Sequence, residues 1–176
     1  MIGETLLQSN HIPASSPPAM DAIAIGSGPS FFEWVRGELP AGRRYGAGVV
    51  SQYLALDVCC IGDLVHRPRL QIGTLTYASR RVFEALDRAD WLLCYDTLGL
   101  PHGGSSGGMC VSLAALFHQR IGLVGFDGLD ESESAENARW NADFRRLLTD
   151  WQSRGRTFVS LMPTSRFDDV LQRDVR

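Results

Sequence analysis

Apolar residues along this chain fall into short continuous runs, each ended by glycine, proline or an acidic side chain, with amphipathic stretches between them. Residues 21–25 (DAIAI) are the first such run and pass directly into Gly26-Ser27-Gly28-Pro29-Ser30. An apolar run of this length that stops at glycine predicts a strand covered on both faces. Ser30 followed by Glu33 reads as a capping box, and Phe31, Phe32 and Val35 give the helix it would start an apolar face. The first unit is therefore expected to be strand, glycine turn, helix.

A second unit of this kind occupies residues 101–127. Gly103, Gly104, Ser105, Ser106, Gly107 and Gly108 predict a turn without bulky side chains. Residues 109–117 predict a short apolar helix, and residues 121–126 a buried strand with Asp127 at its carboxyl end. A loop of small residues ahead of a helix leaves backbone N–H groups facing outward, where the helix dipole favours an anion. Between the two units, residues 37–48 read as a turn-rich connection and residues 49–53 (VVSQY) as strand two. Residues 54–61 read as a turn and strand three, ending at Gly62-Asp63. His66, Arg67 and Arg69 surround Pro68 and read as an exposed turn. Residues 79–89 are an amphipathic helix pattern, and residues 91–95 another strand.

Beyond Asp127, residues 135–151 predict a helix with Trp140, Phe144, Leu147, Leu148 and Trp151 inward, closed by Gly155. Residues 157–162 predict a last strand, and Pro163-Thr164-Ser165 precede a short terminal helix. Strands alternating with helices imply the α/β class: a three-layer, Rossmann-like domain with a mostly parallel central sheet. Residues 1–20, with Pro13, Pro17 and Pro18, are expected to be a flexible leader, and residues 21–176 a single domain.

Charge and composition remove several functions. The net charge is -3 and the 17 Lys and Arg residues are mostly dispersed, which argues against a nucleic-acid partner. No run approaches the ~18 apolar residues of a membrane span, and no signal peptide is recognisable, so a cytoplasmic chain is expected. Cys59, Cys60, Cys94 and Cys110 form no C-x-x-C pair and read as reduced thiols rather than zinc ligands. Phe31 stands where a dinucleotide fingerprint needs its third glycine, and no G-x-x-x-x-G-K-[ST] occurs. A standard NAD site and a P-loop are both rejected on those grounds.

Three segments, IGSGPS (25–30), SSGGMCVSLAALFHQRIGLVGFDG (105–128) and GRTFVSLMPTSRFDDVL (155–171), line up in order with one family. The set resembles the sialyltransferase-like superfamily of bacteria and phages. That superfamily includes transferases with a CMP-sugar donor, flagellin-glycosylation domains and hydroxymethylpterin diphosphokinases. The resemblance implies a Rossmann-like domain that binds a nucleotide or nucleotide sugar, and a homo-oligomer, since the family often assembles. It places Gly26, Ser27 and Gly28 under the phosphates, Ser51 at the polar position after strand two, and Ser105, Ser106 and Gly107 against phosphate or ribose. Asp127 would lie at the base of the site. Where the transferases usually carry Asn, this chain has Ser27 and Ser51, and it has no His after His118, where they carry a catalytic one.

His102, beside the glycine loop, is the nearest substitute: a neutral imidazole there can act as general base, or be a loop residue without chemistry. His118 reads as a helix-end residue suited to the dipole. Asp127 either caps a turn or touches ligand or metal. Asp63, Asp96 and Asp127 would form a magnesium cluster if their strands are neighbours. Three readings follow. One is a CMP-sugar-dependent glycosyltransferase with His102 or Asp127 catalytic. Another is an ATP- and magnesium-dependent diphosphokinase-like enzyme. The last is a non-catalytic nucleotide- or sugar-binding protein of phage or mobile-element origin.

Overall fold

The computed structural model describes residues 20–34, 39–63, 74–86, 91–103, 105–162 and 165–173. Its centre is one eight-stranded sheet. The strands are β1 (Ala22–Ile25), β2 (Arg43–Ala47), β3 (Val58–Ile61), β4 (Leu75–Ala78), β5 (Leu92–Cys94), β6 (Arg120–Val124), β7 (Thr157–Ser160) and β8 (Gln172–Arg173). Their spatial order is β5-β4-β3-β2-β1-β6-β7-β8, and every pairing is parallel. The chain starts mid-sheet at β1, steps outward to β5, then returns to the other side of β1 for β6 to β8. Neighbouring connections therefore leave β1 and β6 in opposite directions, which opens a crevice at the carboxyl ends of those two strands.

Among the described residues four α-helices flank the sheet: α1 (Pro29–Trp34), α2 (Arg80–Ala85), α3 (Ser106–Phe117) and α4 (Ala135–Ser153). Every residue of β1 and β3 is buried, as in a parallel sheet covered on both faces. The three-layer Rossmann-like architecture expected from the alternation is the one observed. α3 packs against β1, β2, β3 and α4, and its residues from Gly108 to Ala115 are all buried. A helix apolar all round suits that central position. α4 instead buries one stripe, Asn141, Phe144, Leu147, Leu148 and Trp151. The Trp151 indole donates to Ser112 Oγ at 3.1 Å, and Ser112 donates to the Pro101 carbonyl at 2.5 Å, so α4, α3 and the preceding loop are tied together.

Several elements differ from the sequence pattern. Residues 43–47 fall within the stretch read as a connection, yet they form β2, and residues 49–53 are not a strand but lie in and just after a 3₁₀ helix, Gly48–Gln52. β2 sits between β1 and β3, and its pairing overrides the weak local propensity of RRYGA. β4 had no sequence counterpart. Residues 166–170 form turns leading into the two-residue β8 instead of a terminal helix. Ser30 does not start α1 either: the helix begins at Pro29, where a residue lacking an N–H loses nothing. Residues 1–19, Val35, His66, Arg67, Arg69, Gly104, Pro163 and Thr164 lie outside the described residues.

None of the four cysteines is bridged; Cys59, Cys60 and Cys110 are buried, and burial pushes the Cys59 thiol up to about 12. His118 ends α3, but a phenol holds it: Tyr45 Oη lies 3.0 Å from His118 Nε2. Burial lowers the His118 pKa, with Asp21 opposing and Arg43 adding to the effect. The neutral ring is thus favoured in the fold, contrary to the cation expected at a helix end. A depressed folded-state pKa gives stability that is present above the unfolded value of about 6.5 and lost as pH falls through the folded one. Urea midpoints at pH 7.5 and 5.5 should therefore differ more in the wild type than in His118→Gln.

Candidate ligand-binding site

Glycine is required where β1 and β6 end because the two turns touch. Gly26 N–H donates to the Val124 carbonyl at 2.8 Å and Gly28 N–H to the Gly125 carbonyl at 2.9 Å. A Cβ on Gly26 would lie 2.5 Å from the Gly125 oxygen, and one on Gly28 would collide with Asp127 Oδ2. These glycines seam the turns together, and two of the N–H groups assigned to phosphate are already used.

The seam forms the floor of a cleft of about 370 Å³ at the carboxyl edge of the sheet. Six of its lining residues are Gly26, Ser27, Gly28, Ser105, Ser106 and Gly107, so the two glycine-rich segments do converge on one site. Asp63 and Asp127 also line it, together with Val49, Phe126, Leu129 and Trp140. Among the described lining residues there is no Lys, Arg or His.

α3 is aimed at this cleft by its own cap. Ser105 Oγ accepts from Gly108 N–H at 3.0 Å, and the Met109 N–H donates to the Ser105 carbonyl. Ser106 Oγ accepts from Gly62 N–H at 2.7 Å and so fixes the end of β3 to the helix. Both hydroxyls assigned to ligand contact are thus engaged within the protein. The main-chain N–H groups of Ser106 and Gly107 have no acceptor among the described residues, as the first turn of a helix requires, and neither does that of Ser27. A Cβ on Gly107 would lie 2.9 Å from the Phe126 ring, so glycine there lets the helix end approach the floor.

Asp127 sits at the base of the cleft. Its Oδ2 accepts from Ser30 N–H at 3.1 Å, which makes it the cap of α1 supplied from 97 residues away. The capping alternative for this residue is therefore realised, on α1 rather than on the next turn. Asn is as good a cap as Asp, and Ala costs about 1 kcal/mol. Chemical denaturation should place Asp127→Asn near the wild type and Asp127→Ala about 1 kcal/mol below it.

Ser51 does not reach the cleft. It lies in the 3₁₀ helix after β2, is buried, and donates to the Gly48 carbonyl at 2.6 Å. His102 is also elsewhere: it lines a separate cavity of about 70 Å³ with Gly62, Ser79, Tyr95, Asp96, Ser105 and Met109. Ser105 borders both spaces. Asp96 accepts from the Arg80 N–H there and does not join Asp63 and Asp127. The expected three-carboxylate magnesium cluster is not assembled, and among the described residues no group of three His, Cys, Asp or Glu side chains could hold a metal.

Trp140 was legible in the sequence only as a core position of α4. The structure places it at the cleft, with its ring parallel to Phe144 at 5.3 Å. No helix among the described residues is long and apolar enough to cross a membrane. No family model, no curated protein and no solved structure matches the chain.

Proposed function

We propose that the chain binds a nucleotide or nucleotide sugar in this cleft, as a sialyltransferase-like protein with a CMP-sugar as the ligand class. One observation carries the reading. At the point where the strand order reverses, Ser27, Ser106 and Gly107, which line a single cleft, carry main-chain N–H groups without acceptors among the described residues. Such groups at a helix N-terminus bind phosphate oxygens without needing a cationic side chain. A volume of about 370 Å³ lies at the small end of ligand pockets, which suits a mononucleotide better than a dinucleotide. This agrees with the missing third glycine of the dinucleotide fingerprint.

The resemblance supplies glycosyl transfer, and the donors above would stabilise the departing nucleotide phosphate. Activation of an acceptor would fall to Asp127, at the cleft, or to His102, across Ser105 from it. A second reading has its own support: Asp63 and Asp127 both line the cleft. Magnesium would reconcile those carboxylates with a polyphosphate, as an ATP-dependent diphosphokinase-like enzyme requires. The engagement of Asp127 as a cap and the separation of His102 favour binding without turnover.

A thermal-shift series with CMP, CDP, UMP, ADP, ATP and CMP-sialic acid, each with and without magnesium, separates these. Ligand at 100 times its dissociation constant adds about 2.7 kcal/mol of stability. A shift with CMP or CMP-sialic acid alone supports the transferase-like site, and donor hydrolysis then distinguishes an enzyme from a binding protein. A shift only with ATP and magnesium supports the diphosphokinase-like reading. No shift with any ligand overturns nucleotide binding.

A further inference from the structure

Two chemistries line the cleft: the main-chain N–H groups of Ser27, Ser106 and Gly107, and the apolar residues Leu129 and Trp140. We infer that Trp140 is the surface on which the planar ring of the bound nucleotide packs, an assignment that rests on the nucleotide-binding reading above.

Trp140 is half-buried and is the outer member of a three-ring stack. Its ring lies parallel to Phe144 (5.3 Å, 5°), and Phe144 lies parallel to Phe126 (5.2 Å, 13°). Phe167 closes the side of the stack, 4.9 Å from Phe144 and 6.2 Å from Trp140. Phe126 lines the same cleft, so the stack runs from the cleft floor through the core and back to the cleft wall. An indole held this way is already ordered, and a ligand ring packing on it has little side-chain freedom left to remove.

The neighbouring loop is equally fixed. Asn141, fully buried, accepts from Leu129 N–H at 2.9 Å and donates to the Leu129 carbonyl at 2.8 Å. Both main-chain groups of Leu129 are thereby consumed. What Leu129 leaves for a ligand is its side chain, 41% exposed, in the same cleft as the indole. A rigid aromatic and an apolar residue in the same cleft as a set of phosphate-type donors match a molecule that carries both a planar ring and a phosphate. Base stacking on an aromatic side chain changes affinity by about tenfold or more.

The test is calorimetry on the full chain with CMP and with ribose 5-phosphate, which keeps the sugar and phosphate but lacks the base. The wild type should bind CMP about tenfold or more tightly than ribose 5-phosphate. Trp140→Leu should collapse that ratio towards one and leave ribose 5-phosphate binding unchanged, while Trp140→Phe should keep most of it. A ratio retained in Trp140→Leu, or equal binding of the two ligands by the wild type, overturns the assignment and leaves phosphate binding standing. Failure of the wild type to bind either ligand overturns both. If Trp140→Leu does not fold, the fluorescence of Trp140→Phe decides. CMP should quench the wild type and leave the variant unquenched, and persistent quenching in the variant overturns the assignment.

Discussion

Gly125→Ala lowers the melting temperature by roughly 4–20 °C and, on the nucleotide-binding reading proposed above, removes ligand-induced stabilisation with it. Gly125 has φ +71°, a left-handed conformation that costs an ordinary residue about 1–2 kcal/mol. A Cβ there would also collide with the Gly26 carbonyl oxygen and lie 2.9 Å from Phe31 Cβ. The first of those atoms is backbone and cannot rotate away. Overpacking of this kind adds about 1–3 kcal/mol. The sum, about 2–5 kcal/mol, converts at about 2–4 °C per kcal/mol for a domain of this size. Relief of the clash must part the β1 and β6 turns, which are joined by the Gly26 and Gly28 hydrogen bonds and form the cleft floor. Gly155→Ala is the control. Its φ is +82°, but nothing lies within 4 Å of the added carbon, so only the conformational cost of about 1–2 kcal/mol applies. Thermal melts of the two variants side by side separate strain from collision; equal losses would refute the steric account of the seam.

The seam shows what the residues alone disclosed. IGSGPS was legible as a glycine turn, because an apolar run ending in glycine has few other solutions, whereas residues 121–126 read as strand throughout and β6 in fact stops at Val124, with Gly125 in the turn. The contact of the two turns was not legible, because nothing local sets the distance between residues 26 and 125. The same limit applies to Asp127. The chain offered Ser30 and Glu33 as a local capping box, but Pro29 took the first helical position and the cap came from Asp127, in the turn after β6. Ser30 Oγ is left buried and without a hydrogen-bond partner.

VVSQY, with its β-branched pair and tyrosine, has the composition of a strand, while RRYGA has not. Position in the sheet decided otherwise. Gly46 is needed because Leu56 packs where its Cβ would be, at 2.6 Å, so β2 lies close under the turn that follows it. Ser51 was carried into the 3₁₀ helix and away from the cleft by that exchange. The pattern of α4 was read correctly because it summed many residues, and that of α3 was recognised only from residue 109, three residues after the helix starts at Ser106 within the stretch read as a turn. The periodicity of α4 marked Trp140 as inward without saying whether inward meant core or ligand. A helix stripe specifies a direction, and the neighbouring turns determine what lies there.

Phe144→Ala is expected to be the most destabilising single truncation in the core behind the cleft, at about 3–5 kcal/mol. Phe144 is fully buried, and its ring contacts those of Phe126, Trp140 and Phe167. Truncation removes the middle of that stack, and three rings lose a partner together. Arg145 next to it stays tethered by the Arg166 carbonyl at 2.6 Å and by Glu131 and Asp169, so α4 is held on both sides of the void. The helix cannot simply slide inward to fill the space, which places the cost towards the upper end of the range. Phe144→Leu restores much of the volume without the aromatic faces and should recover more than half of the loss. Trp140→Leu measured in both backgrounds then reports the ring–ring term, expected at about 0.5–1.5 kcal/mol for a stacked pair. A coupling of zero in urea denaturation would mean that Trp140 is ordered by Leu129 and Asn141 instead of by Phe144. A coupling in that range would mean that the core of α4 and the wall of the cleft are one unit, so that core packing directly determines the shape of the site.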